Sequence, residues 1–471
     1  MGTGRSWKPG EKSFLPEELS SLVIRSIVKD AQNCLGEEIE EAVISVPAYF
    51  HDEQRVAVKR AGALAGIHVE RIVNEPSAAA LASYFTANEE QNMLVFDFGG
   101  GTLDVSLVDC FDTMVEIVSV AGNNRLGGDD FDRLIAEHFL REHGVARQQL
   151  RAQEYAVLLK QAERCKKLLS EQEEVVMHAM VGDQVYESTY TMDRLFEESK
   201  ALLKEIRQVI GRALKDGKMT IHDVDLVVMA GGSSKMPLIQ KYIRHLFHKA
   251  PMVQGNCDKL IALGLGLVCG VKERKEEIKD YILTDICPFS LGVATINEAD
   301  PDRAYMANII NRNTVLPCSR VRRFYTASDQ QDYVVVEVHQ GENTYAQDNL
   351  LLGKIEISVP PKPKGKEAVD VRFTYDINGI LVVDTRVVST GVVKTHIISQ
   401  KIPEAELEER VRELEKAVSM LEYYDPFEEE FDASESDWDL WDEEEAQDPD
   451  NEETDEEEFW KKEGDDHSWT S

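Results

Sequence analysis

Apolar and polar residues follow two different rhythms along this chain, and the change of rhythm divides it. In the first part, short apolar runs alternate with segments whose apolar positions fall three and four apart. Leu19, Leu22, Val23, Ile27 and Ala31 continue from Leu15-Pro16-Glu17-Glu18 at helical spacing, with proline in the first turn and acids beside the positive dipole end. Ala42 to Phe50 reads as a buried strand closed by Pro47, Asp52 to Ala65 as a helix, and Arg71 to Pro76 as the entry to a small-residue helix, Ser77 to Ala82. A further apolar strand, Leu226 to Ala230, and a further helix, Leu260 to Cys269, extend the alternation, which predicts an α/β domain. Beyond Asp285 the helices stop. Tyr333 to Val338, Ile355 to Val359 and Val369 to Tyr375 carry β-branched and aromatic residues with partial alternation, and Asn378-Gly379 marks a hairpin. These predict an antiparallel β-sandwich. Glu404 to Leu421 then reads as one amphipathic helix with Leu407, Val411, Leu414, Val418 and Leu421 on a stripe. No internal repeat is visible.

One stretch carries chemistry of its own. Leu94 to Ser106 runs apolar into Asp97, turns through Gly99, Gly100 and Gly101, and leaves through Thr102-Leu103-Asp104 into a second apolar run. Strand, glycine turn, strand is the expectation. Such a tip can bring backbone N–H groups to phosphate oxygens, with Asp97 placed for a hydrated Mg²⁺ and the Thr102 hydroxyl for a terminal phosphate. A tight glycine hairpin between ordinary acids fits the same residues, since a Walker-type loop is absent.

Composition narrows the field. The chain has 471 residues, enough for two or three domains, and a formal charge of −35. That charge argues against nucleic-acid or anionic-membrane partners. From Glu422 to Ser471 there are 24 acids against two lysines, so −22 of the total lies in that segment, which should be disordered. The seven cysteines contain no Cys-x-x-Cys pair, which suits free thiols in a reducing cytosol. No apolar run is long enough to span a membrane.

Val46-Pro47-Ala48-Tyr49-Phe50, Asn74-Glu75-Pro76-Ser77-Ala78-Ala79-Ala80, the Asp97 hairpin and Leu126-Gly127-Gly128-Asp129-Asp130-Phe131-Asp132 together resemble the DnaK-type, seventy-kilodalton heat-shock chaperones, in that family's order and spacing. Wording around Trp7, Phe14 to Ser21 and Leu283 to Gly292 is most similar to the HscC branch. The resemblance covers Met1 to Leu421. It implies an actin-like ATPase domain incomplete at its N-terminus (1–278), a linker (279–285), a β-sandwich substrate domain (286–400), a partial lid helix (403–421) and an acidic tail (422–471).

The resemblance also implies roles. ATP or ADP with Mg²⁺ is the expected cofactor, with Asp97 and, through water, Glu75 at the metal, and Gly99, Gly100, Gly101, Thr102 and Gly128 at the phosphates. Glu75, Asp97 and Thr102 would serve hydrolysis. Glu163, Lys166, Lys167 and Ser170 fall on one helix face; by spacing alone that is a solvated charged face, and by resemblance it holds adenosine. Gly232, Ser233 and Lys235, after a strand, and Asp258 would complete the nucleoside site. Lys167 and Lys235 stand where the family commonly has arginines, and lysine cannot stack as a guanidinium does. Pro47 and Arg55 match residues that relay nucleotide state. Val293, Ile296, Phe324, Ala327, Val334 and Val336 would line the peptide pocket, although as residues they also suit plain core.

The expected partners are extended client polypeptides, a J-domain co-chaperone and an exchange factor, in the cytoplasm. A first Asp-x-Gly-Thr-Thr hairpin and the lysine that orients water are missing from the sequence, so weak ATP hydrolysis is expected. Competing readings are a nucleotide-insensitive peptide holdase and an actin-like sugar kinase, and the β-sandwich speaks against the kinase.

Overall fold

The apolar run ending at Asp97 becomes the second strand of a five-stranded mixed sheet. The computed structural model describes residues 6, 13–87, 90–181, 184–253, 257–275, 281–297, 300–397, 409–410, 412–413 and 416. Met1–Val411 forms one compact unit and Arg412–Ser471 a second. Most of the expected lid helix, all of the acidic segment and Trp7 lie outside the described residues.

The chain opens with α1 (Pro16–Leu35), β1 (Glu41–Val46), α2 (Asp52–Leu64), β2 (His68–Asn74) and α3 (Glu75–Ala87). The glycine hairpin follows as β3 (Gln91–Phe98) and β4 (Leu103–Phe111), then β5 (Met114–Asn123) and α4 (Gly128–Glu142). Next come α5 (Ala152–Leu168), β6 (Glu174–Val181), β7 (Gln184–Thr191) and α6 (Met192–Gly217). The α/β part closes with β8 (Leu226–Ala230), α7 (Pro237–Phe247), α8 (Leu260–Lys272) and the short β9 (Ile282–Thr284). The large sheet runs β8-β3-β4-β5-β9, while β1-β2 and β6-β7 form separate pairs.

Local chemistry sets these limits. Pro16 occupies the first turn of α1, the Glu18 carboxylate accepts the Leu15 amide proton at 2.7 Å, and Gly36 ends the helix in the left-handed region. Thr191 caps α6 by accepting from the Arg194 amide. The small residues of α3 have a packing purpose. A Cβ on Gly264 of α8 would lie 1.9 Å from the Ala78 carbonyl oxygen, so α3 and α8 touch backbone to backbone. Ala78, Ala79, Ala80 and Leu81 are buried there against Val95, Val228 and Leu260.

The rest is antiparallel: β10 (Leu291–Asn297), β11 (Asp300–Ile310), β12 (Cys318–Tyr325), β13 (Tyr333–Gln340), β14 (Leu350–Ser358), β15 (Ala368–Tyr375), β16 (Leu381–Val387) and β17 (Val393–Ile397). They form two four-stranded sheets, β11-β10-β13-β14 and β12-β15-β16-β17, around a core that includes Leu291, Val338, Phe373 and Leu381. The Asn378-Gly379 hairpin is present. Asp376 Oδ1 accepts the amide protons of Asn378 and Ile380, and Gly379 takes φ 69°, where glycine is favoured. Among the described residues no helix is long and apolar enough to cross a membrane.

Candidate functional site

The site begins at the tip of β3 and β4. Asp97 pairs with Asp104 across the ladder, and the Gly99 amide donates to the Thr102 carbonyl at 3.0 Å, closing the turn. A second glycine loop packs onto it where α4 begins. The amides of Gly128 and Asp129 donate to the Gly99 and Gly100 carbonyls at 3.0 and 2.8 Å. A Cβ on Gly127 would lie 2.2 Å from the Gly100 carbonyl oxygen, so only glycine fits. Around Gly101 the space is open: a Cβ there would meet nothing within 4 Å. The hairpin tip is therefore bare backbone facing a gap, as a phosphate contact requires.

Carboxylates gather beneath the tip. Asp97 is buried, and burial pushes it up to about 6 while a hydrogen bond from Glu75 opposes the rise. Glu75 is raised well above the ordinary carboxylate range, first by burial and then by the charges of Asp97 and Asp104. Asp104 is driven up to about 8 by burial and by Asp97, and its Oδ1 has no hydrogen-bond partner among the described residues. Two buried acids and a half-buried third, with one orphaned oxygen among them, suit a cation. Among the described residues no three ligating side chains are arranged to hold a metal directly, so the fit is to an ion held largely through its own waters.

The nucleoside candidates fall into three groups. Gly128 meets Ser233 and Lys166: a Cβ on Gly128 would lie 2.2 Å from Ser233 Oγ and 3.1 Å from Lys166 Nζ. Lys166 is buried, paired with Asp132 at 2.8 Å and donating to the Gly128 carbonyl at 3.0 Å. Gly231 joins this group to the acids, since its Cβ would lie 2.8 Å from Asp97 Oδ1. Gly232 adjoins Asp258, which forms an ion pair with Lys235. On α5, Glu163 and Lys167 pair at 2.8 Å and border a depression of about 290 Å³, also lined by Lys160, Arg164, Leu168 and Glu171. Ser170 is exposed just past the end of α5.

The expected peptide residues divide. Val293 and Val336 belong to the sandwich core, with Phe324 and Val334 packed against it. Ile296 and Ala327 are exposed.

Between the two parts runs a polar chain. Arg55 is buried, donating to Asn74 Oδ1 at 2.6 Å and to the carbonyls of Ala48 and Phe50. Asn74 Nδ2 and Ser77 Oγ both donate to Asp285 Oδ1 at 2.8 Å. Asp285 follows β9, which pairs parallel with β5. Pro47 lies just before Ala48, its carbonyl accepting the Phe50 amide proton at 3.1 Å. On the far side Arg312 pairs with Asp216 at 2.6 Å.

Sequence reasoning passed over Asp104, Asn74, Asp285 and Arg312. Asp104 had a visible signal, an acid inside an apolar strand run. The others had none, because their partners lie 19 to 211 residues away.

Comparison with known proteins agrees with this arrangement. Residues 5–465 match the family model described as Hsp70 protein. The chain is 37% identical over 418 residues to a chaperone protein dnaK of Cyanophora paradoxa, a match covering 86% of this chain and 66% of that protein. The α/β part with its glycine hairpin, the strand that joins it to a β-sandwich, and these matches place the chain in one group: it belongs to the Hsp70 family.

Proposed function

We propose that this protein is an ATP-dependent molecular chaperone that binds extended apolar segments of unfolded polypeptides. One observation carries the reading: Glu75, beneath the phosphate tip, is the immediate neighbour of Asn74, which bonds both Arg55 and Asp285 at the entrance to the sandwich. A change at the phosphates therefore has a short covalent and hydrogen-bonded route to the substrate part.

In this reading Gly99, Gly100, Gly101 and Thr102 hold the phosphates, and Gly128, Ser233, Lys166, Gly232, Lys235 and Asp258 hold the nucleoside. Glu163, Lys167 and Ser170 flank it. Asp97 and Glu75 hold waters of a Mg²⁺ ion, which supplies charge neutralisation to the phosphates. Thr102 offers a hydroxyl to the terminal phosphate, and Asp104 backs Asp97 from the neighbouring strand. Clients dock on the sandwich, where Ile296 and Ala327 are exposed. A J-domain co-chaperone and an exchange factor set the cycle, in the cytoplasm.

The experiment measures release of a fluorescent Leu-rich peptide by anisotropy, with and without Mg-ATP. Faster release with ATP in the native chain, lost in Thr102→Ala, is the expected result. Peptide binding that ignores ATP overturns the coupling and leaves a holdase. No peptide binding at all overturns the chaperone reading.

A further inference from the structure

The turn from Asp376 to Ile380 seats the sandwich against the first turn of α2, and a carboxylate sits at the junction. Asp52 is fully buried; its Oδ1 accepts the Leu381 amide proton at 3.3 Å across the junction, and its Oδ2 has no hydrogen-bond partner among the described residues. The groups acting on it are few. Glu53 and Arg55 lie on its own helix, and Asp376 faces it from the turn. Tyr375 and Cys287 of the sandwich part feel its charge in return. His51, one residue earlier, is lowered by burial and stacks on Phe289, with ring centroids 4.8 Å apart.

These surroundings do not suit an anion. Arg55 attracts it, but that guanidinium is engaged by Asn74 Oδ1 and two carbonyls, and no ion pair joins it to Asp52 among the described residues. Glu53 and Asp376 repel. A buried carboxylate with one unpartnered oxygen is far less costly when neutral. Once the two parts separate, the same residue stands at a solvated helix N-terminus, where the ionised form is favoured.

We propose that docking of the sandwich onto the α/β part takes up a proton at Asp52, which makes the junction a pH-sensitive latch. Burial pushes the docked carboxyl up to about 7, with the Leu381 amide and Arg55 only partly opposing. An undocked aspartate titrates near its ordinary value of about 4. Because the docked value is the higher, the contribution to docking is complete below about pH 4 and is lost as pH rises through about 7. Between those two values the docking constant falls about tenfold per pH unit, and above about pH 7 it levels off. The latch is independent of what the nucleotide and peptide sites do.

Hydrogen exchange on the full-length chain reads the docking constant, as protection factors corrected for the intrinsic pH dependence of exchange. The Ile72 amide is the reporter, because its proton goes to Asn378 Oδ1 across the junction without touching Asp52. Its protection should be about tenfold lower at pH 9 than at pH 6, while amides of β3 and β4 keep theirs. Asp52→Asn retains an acceptor for Leu381 and should flatten the profile. Asp376→Asn removes a repelling charge, keeps the acceptor of the turn, and should move the midpoint to lower pH with the slope preserved. A flat native profile, or an unchanged slope in Asp52→Asn, overturns the proposal. Should Asp52→Asn fail to fold, an unmoved midpoint in Asp376→Asn overturns it equally.

Discussion

Asn378 Oδ1 accepts the Ile72 amide proton at 3.1 Å, joining residues 306 positions apart in the chain. The bond gives the N–H of a strand in the α/β part an acceptor from the tip of a sandwich hairpin. Gly379 makes the approach possible, since a Cβ there would lie 3.2 Å from Arg55 Cδ, Cζ and Nε.

Asn378→Ala should weaken the junction without unfolding either part. It leaves the amide of buried Ile72 without its acceptor, a loss of about 1 kcal/mol. Exchange of that amide should speed up about fivefold, while the protection of β15 and β16 amides stays unchanged.

Gly264→Ala tests the contact between α3 and α8. The added methyl meets backbone, the Ala78 carbonyl, and neither helix can yield without disturbing the large sheet. Overpacking of this kind costs about 3 kcal/mol. Thermal unfolding should show a clear fall in Tm, whereas Gly266→Ala, where a Cβ meets nothing within 4 Å, should leave Tm near the native value.

Lys235→Arg should tighten adenine-nucleotide binding about two- to fivefold. Lys235 now lies against Asp258 at the edge of the cleft. A guanidinium can keep a carboxylate partner and present a flat face to a base, which an ammonium cannot. Titration with a fluorescent ATP analogue reads the change, and equal or weaker affinity would remove Lys235 from the base site.

Phe324→Asp should reduce affinity for an apolar peptide at least about tenfold. Phe324 packs against the sandwich core at the end of β12, and Ala327 follows in the exposed loop beyond it. Fluorescence anisotropy measures the loss, and near-ultraviolet circular dichroism shows whether the sandwich is intact. An intact sandwich with native affinity would place the peptide elsewhere.

The elements were legible wherever chemistry was local. Proline and acids at the start of α1, three glycines between two apolar runs, and Asn378-Gly379 between alternating strands each act within a few residues of themselves. Their helix, hairpin and turn stand where the pattern predicts. The small-residue helix was also legible, although α3 starts at Glu75 and runs to Ala87, past both ends of the Ser77 to Ala82 run. Helix extent there is decided by packing on α8 rather than by the local run.

Alternation could not separate pocket from core. Val293 and Val336 proved to be core, and Ile296, on the same strand as Val293, is exposed. All three sit on β-strands, and only the second sheet decides which of them it covers.

By itself the sequence determined the two rhythms, hence an α/β part followed by a β-sandwich, and the residue types at the phosphate tip. Tertiary structure decided what lies beside that tip: that Gly128 abuts Ser233 and Lys166, that Asp104 is buried behind Asp97, and that Asp52 meets Leu381. Propensity and turn chemistry are encoded by neighbours in sequence. Burial and charge are set by neighbours in space, and for Gly128 and Asp52 those neighbours lie 38 to 329 residues away in the chain.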